Sequence, residues 1–321
     1  MNALYPLRFR PALRHYLWGG TRLEALGKKY EADSCAESWE VVDRHDEQSV
    51  VAAGPLEGRT LNELVRDSGP ELLGKHAPRD RFPLLFKFLD ARERLSIQVH
   101  PDDARAALLD PPDSGKSEAW VVLDVEPHSY LYAGLRRGID ADLLRRELAR
   151  RTIELCCERI EPRVGECFYL PAGVIHAIGP GVLAAEIQQS SDTTYRLYDY
   201  DRRGPDGKPR ELQVEPALEA IDYEYGPVSA QRPRPTDTPG VERLVECEYF
   251  VLDRWQVSGT HSVPKDDCCH ILAVVGGQLE IPGDASGEPL TRGGVVLLPA
   301  ARGKLDVRAA PGTIVLDAYL P

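Results

Sequence analysis

Several features are missing from this chain of 321 residues. No segment reaches the roughly 18 uninterrupted apolar residues that a membrane-spanning helix needs. The first twenty residues include Arg8, Arg10 and Arg14 but no apolar h-region, so they do not predict a secretory signal. We therefore expect a cytoplasmic protein.

Clustered positive charge is also missing. The formal net charge is -12 and no block of basic residues occurs, which argues against nucleic acid or an anionic membrane as a partner. The seven cysteines show no C-x-x-C spacing, so we interpret them as reduced thiols that pack in the interior. An anionic ligand must therefore be bound by local positive groups.

Turn-forming residues are frequent. The chain has 26 prolines and 27 glycines, and short apolar runs recur between them, which predicts a mostly β fold with short helical insertions. Helices are predicted at TLNELVRD, where Thr60 and Glu63 have capping-box spacing, at IDADLLRRELARR and at VEPALEAI. The Pro-rich segment 226–240 is the best linker candidate. We predict two domains, residues 1–235 and 236–321.

The segment LSIQVHPDD has the alternation of a half-buried strand. Ile97 and Val99 lie on one face, whereas Ser96, Gln98 and His100 lie on the other. Such a face is usually only solvated, but here it presents two metal-capable side chains. In GKSEAWVVL, the same alternation places Glu118 beside apolar neighbours, where an unpaired carboxylate would be costly. A cation partner is therefore expected.

A third motif, GECFYLPAGVIH, starts with a turn glycine and ends with His176 after a Pro-x-Gly bend. This spacing resembles the second motif of the cupins, small jelly-roll barrels whose mouth commonly holds a metal. GECFYLPA is echoed by GGVVLLPA 128 residues later, where Lys304 replaces the histidine. We therefore predict two cupin-type jelly-roll β-barrels, the second of which is a degenerate domain without metal ligands.

Gln98, His100, Glu118 and His176 together suit zinc, although iron or manganese accepts similar ligands. LSIQVHPDD, GKSEAW, GECFYLPAGVIHAIG and EIQQSSDTTYRLYDYDR resemble the signature segments of the type I mannose-6-phosphate isomerases in their short bacterial form. The resemblance implies one zinc ion per chain on those four residues. It also implies interconversion of mannose 6-phosphate and fructose 6-phosphate through a cis-enediol.

The same resemblance implies roles for polar groups near the ligands. We expect Arg196 to stabilise negative charge, and Glu186 or Lys116 to transfer protons. Ser96, Lys87, Trp18 and Asp192 are candidate substrate contacts, and the phosphate needs a cation from a set that includes Lys87, Lys116 and Arg202. The enzyme is expected to act as a monomer or homodimer on a hexose 6-phosphate.

Two other interpretations remain open at this point. Two histidines and a carboxylate also form the facial triad of iron-dependent oxygenases, although Gln98 and SSDTTYR argue against that class. A non-catalytic sugar-phosphate-binding cupin is the second, since fold alone does not determine function.

Overall fold

The structure, a computed structural model, describes residues 4–204 and 207–321. Short strands separated by tight turns make up most of its regular structure. In chain order the strands are β1 (Phe9–Arg10), β2 (Ala12–Arg14), β3 (Glu37–Val41), β4 (Val50–Val51), β5 (Leu84–Ala91), β6 (Ile97–Val99), β7 (Glu118–Val125), β8 (Leu131–Leu135), β9 (Cys157–Ile160), β10 (Cys167–Leu170), β11 (His176–Ile178), β12 (Val182–Gln189), β13 (Tyr195–Tyr198), β14 (Arg234–Pro235), β15 (Val241–Glu246), β16 (Val251–Val263), β17 (His270–Gly276), β18 (Gln278–Glu280), β19 (Leu290–Thr291), β20 (Val295–Leu298) and β21 (Leu305–Tyr319).

The helices are short and lie between strands. They are α1 (Leu61–Leu73), α2 (Asp103–Ala106), α3 (Ala141–Ala149) and α4 (Val214–Ala220), with 3-10 turns at Arg22–Leu26, Gly74–His76 and Ile153–Cys156. The predicted capping box of α1 is confirmed, because Thr60 Oγ1 accepts from Glu63 N at 3.2 Å and Glu63 Oε2 accepts from Thr60 N at 2.8 Å. Helices α3 and α4 confirm the two other predicted helical segments.

Two facing sheets form the first barrel. One has the strand order β10-β7-β12-β5-β3-β2, and the other has the order β13-β6-β11-β8-β9. A core cluster that includes Trp120, Phe168 and Leu170 fills the space between them. The predicted mostly β fold is confirmed.

The second barrel repeats the strand order of the larger sheet. Read from its other edge, the order of its main sheet is β20-β17-β21-β16-β15-β14. In this order β20 corresponds to β10 of the first barrel, and β17 corresponds to β7. Strand β10 (Cys167–Leu170) and strand β20 (Val295–Leu298) are 128 residues apart, and the turn glycines Gly165 and Gly293 both have φ of 87°. The echo seen in the sequence is therefore a structural repeat.

The barrels pack together through an apolar core to which both contribute. The outer faces of the larger sheets supply side chains such as Phe86 and Val121 from the first barrel and Ile271 and Leu316 from the second. The N-terminal segment crosses this junction, since Leu7 bridges to Leu297 and Arg8 pairs with Asp284. No helix within residues 4–204 and 207–321 is long and apolar enough to cross a membrane.

Candidate metal and substrate site

The four predicted metal ligands converge at one end of the first barrel. Gln98 lies on β6, His100 directly follows it, and His176 begins the neighbouring strand β11, where its Cα pairs with that of Gln98. Glu118 begins β7 on the opposite sheet and points across the barrel toward them. Strand alternation and sheet pairing thus bring together residues up to 78 positions apart.

The ligand atoms are close enough for one cation. Glu118 Oε2 lies 3.4 Å from His100 Nε2, and Glu118 Oε1 lies 3.4 Å from His176 Nε2. One ligand atom from each of these three residues falls within 4.8 Å of the others, and all three residues are buried. Glu118 is 1% exposed, and each of its two carboxylate oxygens faces one of the two imidazoles, which is the arrangement that a shared cation would need.

Backbone carbonyls orient both imidazoles. His100 Nδ1 donates to Thr193 O at 3.0 Å and His176 Nδ1 donates to Val174 O at 2.8 Å, so each Nε2 faces the cluster. Burial, followed by the charge of Lys116, lowers the pKa of His100 to about 3, and burial also lowers the pKa of His176. Both rings are therefore neutral near pH 7, the form that binds a metal.

Gln98 completes the cluster with a carboxamide. Its nitrogen lies 3.3 Å from His176 Nε2, and its oxygen accepts from Ser96 Oγ at 3.2 Å. A half-turn of the amide exchanges these two atoms and presents the oxygen to the cluster. The donor set of two imidazoles, one carboxylate and one amide therefore fits zinc.

Lys116 lies beside the ligands rather than among them. Its ammonium group is 3.2 Å from Glu118 Oε2 and 3.1 Å from His100 Nε2. Although burial opposes ionisation, Lys116 and the two histidines keep the pKa of Glu118 well below its ordinary value. Glu118 is therefore a carboxylate at neutral pH.

A second buried ion pair lies on the neighbouring strands β12 and β5. Lys87 Nζ is 3.2 Å from Glu186 Oε1 and 3.4 Å from Glu37 Oε2, and Trp120 Nε1 donates to Glu186 Oε2 at 3.0 Å. Burial and the charge of Glu118 raise the pKa of Glu186 to about 7. Although burial opposes it, Glu186 and Glu37 raise the pKa of Lys87. Glu186 can therefore both give and accept a proton near neutral pH.

Positive charge also lies near Gln98, on the far side of Ser96. Arg196 Nε donates to Ser96 Oγ at 3.3 Å, and Arg196 Nη1 donates to Glu211 O at 3.2 Å. Burial and the nearby Arg210 lower the pKa of Arg196. Arg202 does not line the cavity, because its guanidinium binds Asp199 and a backbone carbonyl.

Of the four candidate metal ligands, Gln98 and Glu118 line a cavity of about 240 Å³, whereas His100 and His176 are not among its lining residues. This volume is below the roughly 300–1,000 Å³ typical of sites for drug-sized ligands, and with its polar walls it suits a small polar molecule. The cavity is lined by Tyr16, Trp18, Glu37, Lys87, Leu89, Leu95, Ser96, Gln98, Lys116, Glu118, Trp120, Ile178, Glu186, Asp192, Thr194, Arg196 and Arg210.

All seven predicted catalytic and substrate-binding residues thus lie at one cavity. Trp18 is 4% exposed and forms part of the wall, whereas Asp192 lies at the rim, where partial desolvation raises its pKa. Sequence reasoning missed Tyr16, Glu37 and Arg210. Alternation along ESWEVV could have indicated Glu37, since it shares a face with Trp39, but no local pattern distinguishes Arg210.

Comparisons with known proteins agree with this geometry. Residues 7–119 match the family model described as the catalytic domain of type I phosphomannose isomerase, and residues 241–316 match the cupin domain of mannose-6-phosphate isomerase. Mannose-6-phosphate isomerase ManA of Bacillus subtilis is 34% identical over 97% of this chain and 98% of its own. The mannose-6-phosphate isomerase of Streptococcus mutans is 32% identical, with 92% of each chain covered.

Solved structures show the same likeness. The crystal structure of mannose 6-phosphate isomerase from Bacillus subtilis superimposes with a TM-score of 0.90 at 30% identity, covering 98% of this chain and 99% of that one. A variant of phosphomannose isomerase from Salmonella typhimurium has a TM-score of 0.77 at 15% identity, with 99% and 100% covered, which shows the shared fold alone.

The fold and site define a two-barrel cupin enzyme with a candidate metal centre. Within that class, the chain belongs to the type I mannose-6-phosphate isomerase family, because its curated relatives match along almost their whole length. It is an aldose-ketose isomerase of that family.

Proposed function

We propose that this chain interconverts mannose 6-phosphate and fructose 6-phosphate with one bound zinc ion, through a cis-enediol. The observation that carries the proposal is the His100, Glu118 and His176 cluster beside Glu186, whose pKa is raised to about 7. A cation site next to a group that titrates near neutrality suits proton transfer beside a carbonyl. We infer the substrate, mannose 6-phosphate, from the relatives, which are mannose-6-phosphate isomerases.

Gln98, His100, Glu118 and His176 would hold the zinc ion. When bound, the ion supplies Lewis-acid polarisation of the sugar oxygens at C1 and C2. The carbonyls of Thr193 and Val174 orient the two neutral imidazoles so that each Nε2 faces the ligand cluster. Glu118 is kept ionised, because its pKa is well below the ordinary value. The approach of His100, Glu118 and His176 within 4.8 Å of one another supports this assignment.

Proton transfer is assigned to Glu186, with Lys116 as its partner. In the aldose-to-ketose direction, a base removes the proton from C2 while O1 gains a proton, which produces the enediol. The same proton is then returned to C1 while O2 loses its hydroxyl proton. Glu186 fits the carbon step because it is both buried and able to exist in either protonation state near pH 7. Lys116, in contact with Glu118, fits exchange at the oxygens.

Charge stabilisation and substrate binding are assigned to the remaining wall. Arg196 would stabilise the negative charge that develops on the sugar oxygens, because its guanidinium is partly desolvated and fixed by Ser96. Lys87, Trp18, Ser96 and Asp192 would contact the sugar phosphate. A phosphate dianion needs Arg or Lys, and Arg210, which also lines the cavity, is a further candidate beside Lys87.

We also propose the predicted division near residue 235 into a catalytic cupin domain and a degenerate cupin domain, with the second domain beginning at β14 (Arg234–Pro235), which pairs with β15. In the sheet repeat, His270 of β17 pairs with Leu298 as Glu118 of β7 pairs with Leu170. Glu118 lies beside two imidazoles, whereas His270 lies between the carboxylates of Asp266 and Asp317, one at each ring nitrogen. This difference supports a second barrel without metal ligands. We further propose that the enzyme acts as a monomer or a homodimer.

The experiment is a coupled assay in which fructose 6-phosphate formed from mannose 6-phosphate is converted to a product that reduces a nicotinamide cofactor. We expect activity to disappear after dialysis against a chelator and to return with one zinc ion per chain. Glu118→Gln should lower the zinc content, whereas the exposed Glu57→Gln should behave as the unchanged protein. A chelated sample that keeps its full rate would refute the zinc proposal.

The oxygenase alternative is tested on the same preparation. If iron rather than zinc restores function, and oxygen uptake accompanies turnover, the proposed zinc-dependent mechanism is wrong. If zinc restores isomerisation without oxygen uptake, the oxygenase interpretation is excluded.

A further inference from the structure

The segment 190–194, which connects β12 to β13, forms one side of the cavity mouth. Thr193 uses its carbonyl to accept the Nδ1 hydrogen bond of His100 at 3.0 Å, and Asp192 lines the cavity. The position of this connection therefore determines the orientation of a proposed metal ligand and of a proposed substrate contact. The residues that hold it in place act on the site without touching the metal or the sugar.

Asp113 is the main side-chain anchor of this connection. It lies on a separate segment between α2 and β7, and its side chain is only 17% exposed. Its Oδ2 accepts from Thr193 Oγ1 at 2.8 Å, from Ser191 Oγ at 3.1 Å and from Asp192 N at 3.4 Å. One carboxylate oxygen thus contacts three consecutive residues of the connection.

The other side of the carboxylate is also satisfied. Asp113 Oδ1 accepts from Ser114 N at 2.9 Å and from Arg44 Nη1 at 3.1 Å. Arg44 Nη1 in turn lies 3.3 Å from Ser190 O, so the arginine connects the carboxylate to the start of the same connection. The two oxygens therefore need donors on both sides, and a group with only one acceptor atom cannot replace them.

We propose that Asp113 is a positioning residue for the metal centre, holding Ser191, Asp192 and Thr193 so that the Thr193 carbonyl fixes the ring of His100. The inference rests on the proposed function, because it assumes that His100 binds zinc. A carbonyl that holds the second nitrogen of a ligating imidazole fixes the tautomer and the direction of the first. Loss of the anchor would let that carbonyl shift.

The connection has a second support that does not involve Asp113. The buried Gln188 Nε2 donates to Gln189 O at 2.9 Å and to Ser191 O at 2.6 Å. This amide keeps the first half of the connection in place when the carboxylate is altered. We therefore expect a change at Asp113 to shift Thr193 and the ring of His100 without unfolding the barrel.

The test is Asp113→Asn, which keeps the size of the side chain but replaces one acceptor oxygen with a donor. That donor must face either the Asp192 amide or the Ser114 amide, neither of which can accept a hydrogen bond, and it opposes Arg44, which contacts both oxygens, so bonds are lost in both orientations. Zinc affinity is measured by competition with a chromogenic chelator, without substrate. We expect zinc to bind about tenfold more weakly than in the unchanged protein.

Asp46→Asn is the matched control. Asp46 Oδ1 lies 3.3 Å from Arg44 Nε and its side chain is 61% exposed, so the change removes the same charge from the same arginine without touching the connection. We expect unchanged zinc affinity. If Asp46→Asn weakens zinc binding as much as Asp113→Asn, the effect is one of net charge and the proposal is overturned.

A second variant, Thr193→Val, removes the hydroxyl that bonds to Asp113 and keeps its shape. We expect it to weaken zinc binding in the same direction, and we expect the double variant with Asp113→Asn to be less than additive. Additive losses would overturn the proposal, as would unchanged zinc affinity in Asp113→Asn. Failure of the proposed function is distinguishable, because it would appear as absence of zinc or of isomerase activity in the unchanged protein.

Discussion

The second barrel contains a buried imidazole whose charge should make stability depend on pH. His270 is fully buried, and its Nδ1 lies 2.8 Å from Asp317 Oδ1 while its Nε2 lies 3.0 Å from Asp266 Oδ2. Donation to both carboxylates requires a proton on each nitrogen, so the ring is an imidazolium. Burial opposes this charge, but Asp317 and Asp266 raise the pKa of His270 to about 9.

The direction of the effect follows from that value. The pKa of histidine in the unfolded chain is near its ordinary value of 6.5, below the folded value of about 9. The stabilisation from the charged ring is therefore complete below the unfolded value and is lost as pH rises through the folded value. The difference between the two values corresponds to about 3 kcal/mol, at about 1.4 kcal/mol per pH unit.

The perturbation is His270→Gln, which retains a polar side chain but cannot carry the charge. We expect the difference in free energy of unfolding between the unchanged protein and this variant to shrink by about 3 kcal/mol between about pH 6 and about pH 10. Urea denaturation of both proteins at each pH measures it. Comparing the two proteins at the same pH cancels titrations that they share, including those at the metal site.

Asp266→Asn provides an internal check, because it removes one of the two carboxylates that hold the ring. It should move the loss of stability to lower pH, since Asp317 alone raises the pKa of His270 less. If the free-energy difference between the unchanged protein and His270→Gln does not vary with pH, the reasoning about the imidazolium is wrong.

Two further predictions concern the first barrel. Arg196→Ala should lower kcat by about two to three orders of magnitude, while the zinc content stays the same. The kcat of Arg196→Lys should be intermediate, and the kcat of Arg92→Ala, a change at an exposed arginine, should equal that of the unchanged protein. Full turnover in Arg196→Ala would show that Arg196 has no part in the mechanism. Gly115→Ala should destabilise the protein by about 1–3 kcal/mol, because a Cβ at this position would lie 2.6 Å from Asp103 N. It should also weaken zinc binding, because Gly115 is close in sequence to Lys116 and Glu118. A melting temperature and a zinc affinity equal to those of the unchanged protein would contradict this packing argument.

Local pattern was sufficient for much of the fold. The capping box at Thr60 and Glu63 predicts the start of α1 because both of its hydrogen bonds are made within one turn of chain. Alternation predicts that Gln98 and His100 share a face, since successive strand side chains point to opposite sides. The repeat at Gly165 and Gly293 was visible because the same turn requires a positive φ in both copies.

Long-range partners were not predictable in this way. Arg210, Asp113 and Arg44 lie in connections without a repeating pattern, and their partners are distant in sequence, as with the 80 positions between Asp113 and Thr193. The value of about 7 for the pKa of Glu186 depends on burial and on the charge of Glu118, which is on another strand. Such contacts exist only once the sheets have paired.

Three features therefore follow from the amino-acid order alone: the strand-rich class, the face on which each polar side chain lies, and the residue types available for a metal. Those features depend on the covalent order of the chain and on backbone geometry over a few residues. The tertiary structure alone decided which faces meet, which atoms lie within 4.8 Å of one another, and which charges are buried together. Distances and desolvation between remote segments are set by sheet pairing and by packing of the two barrels.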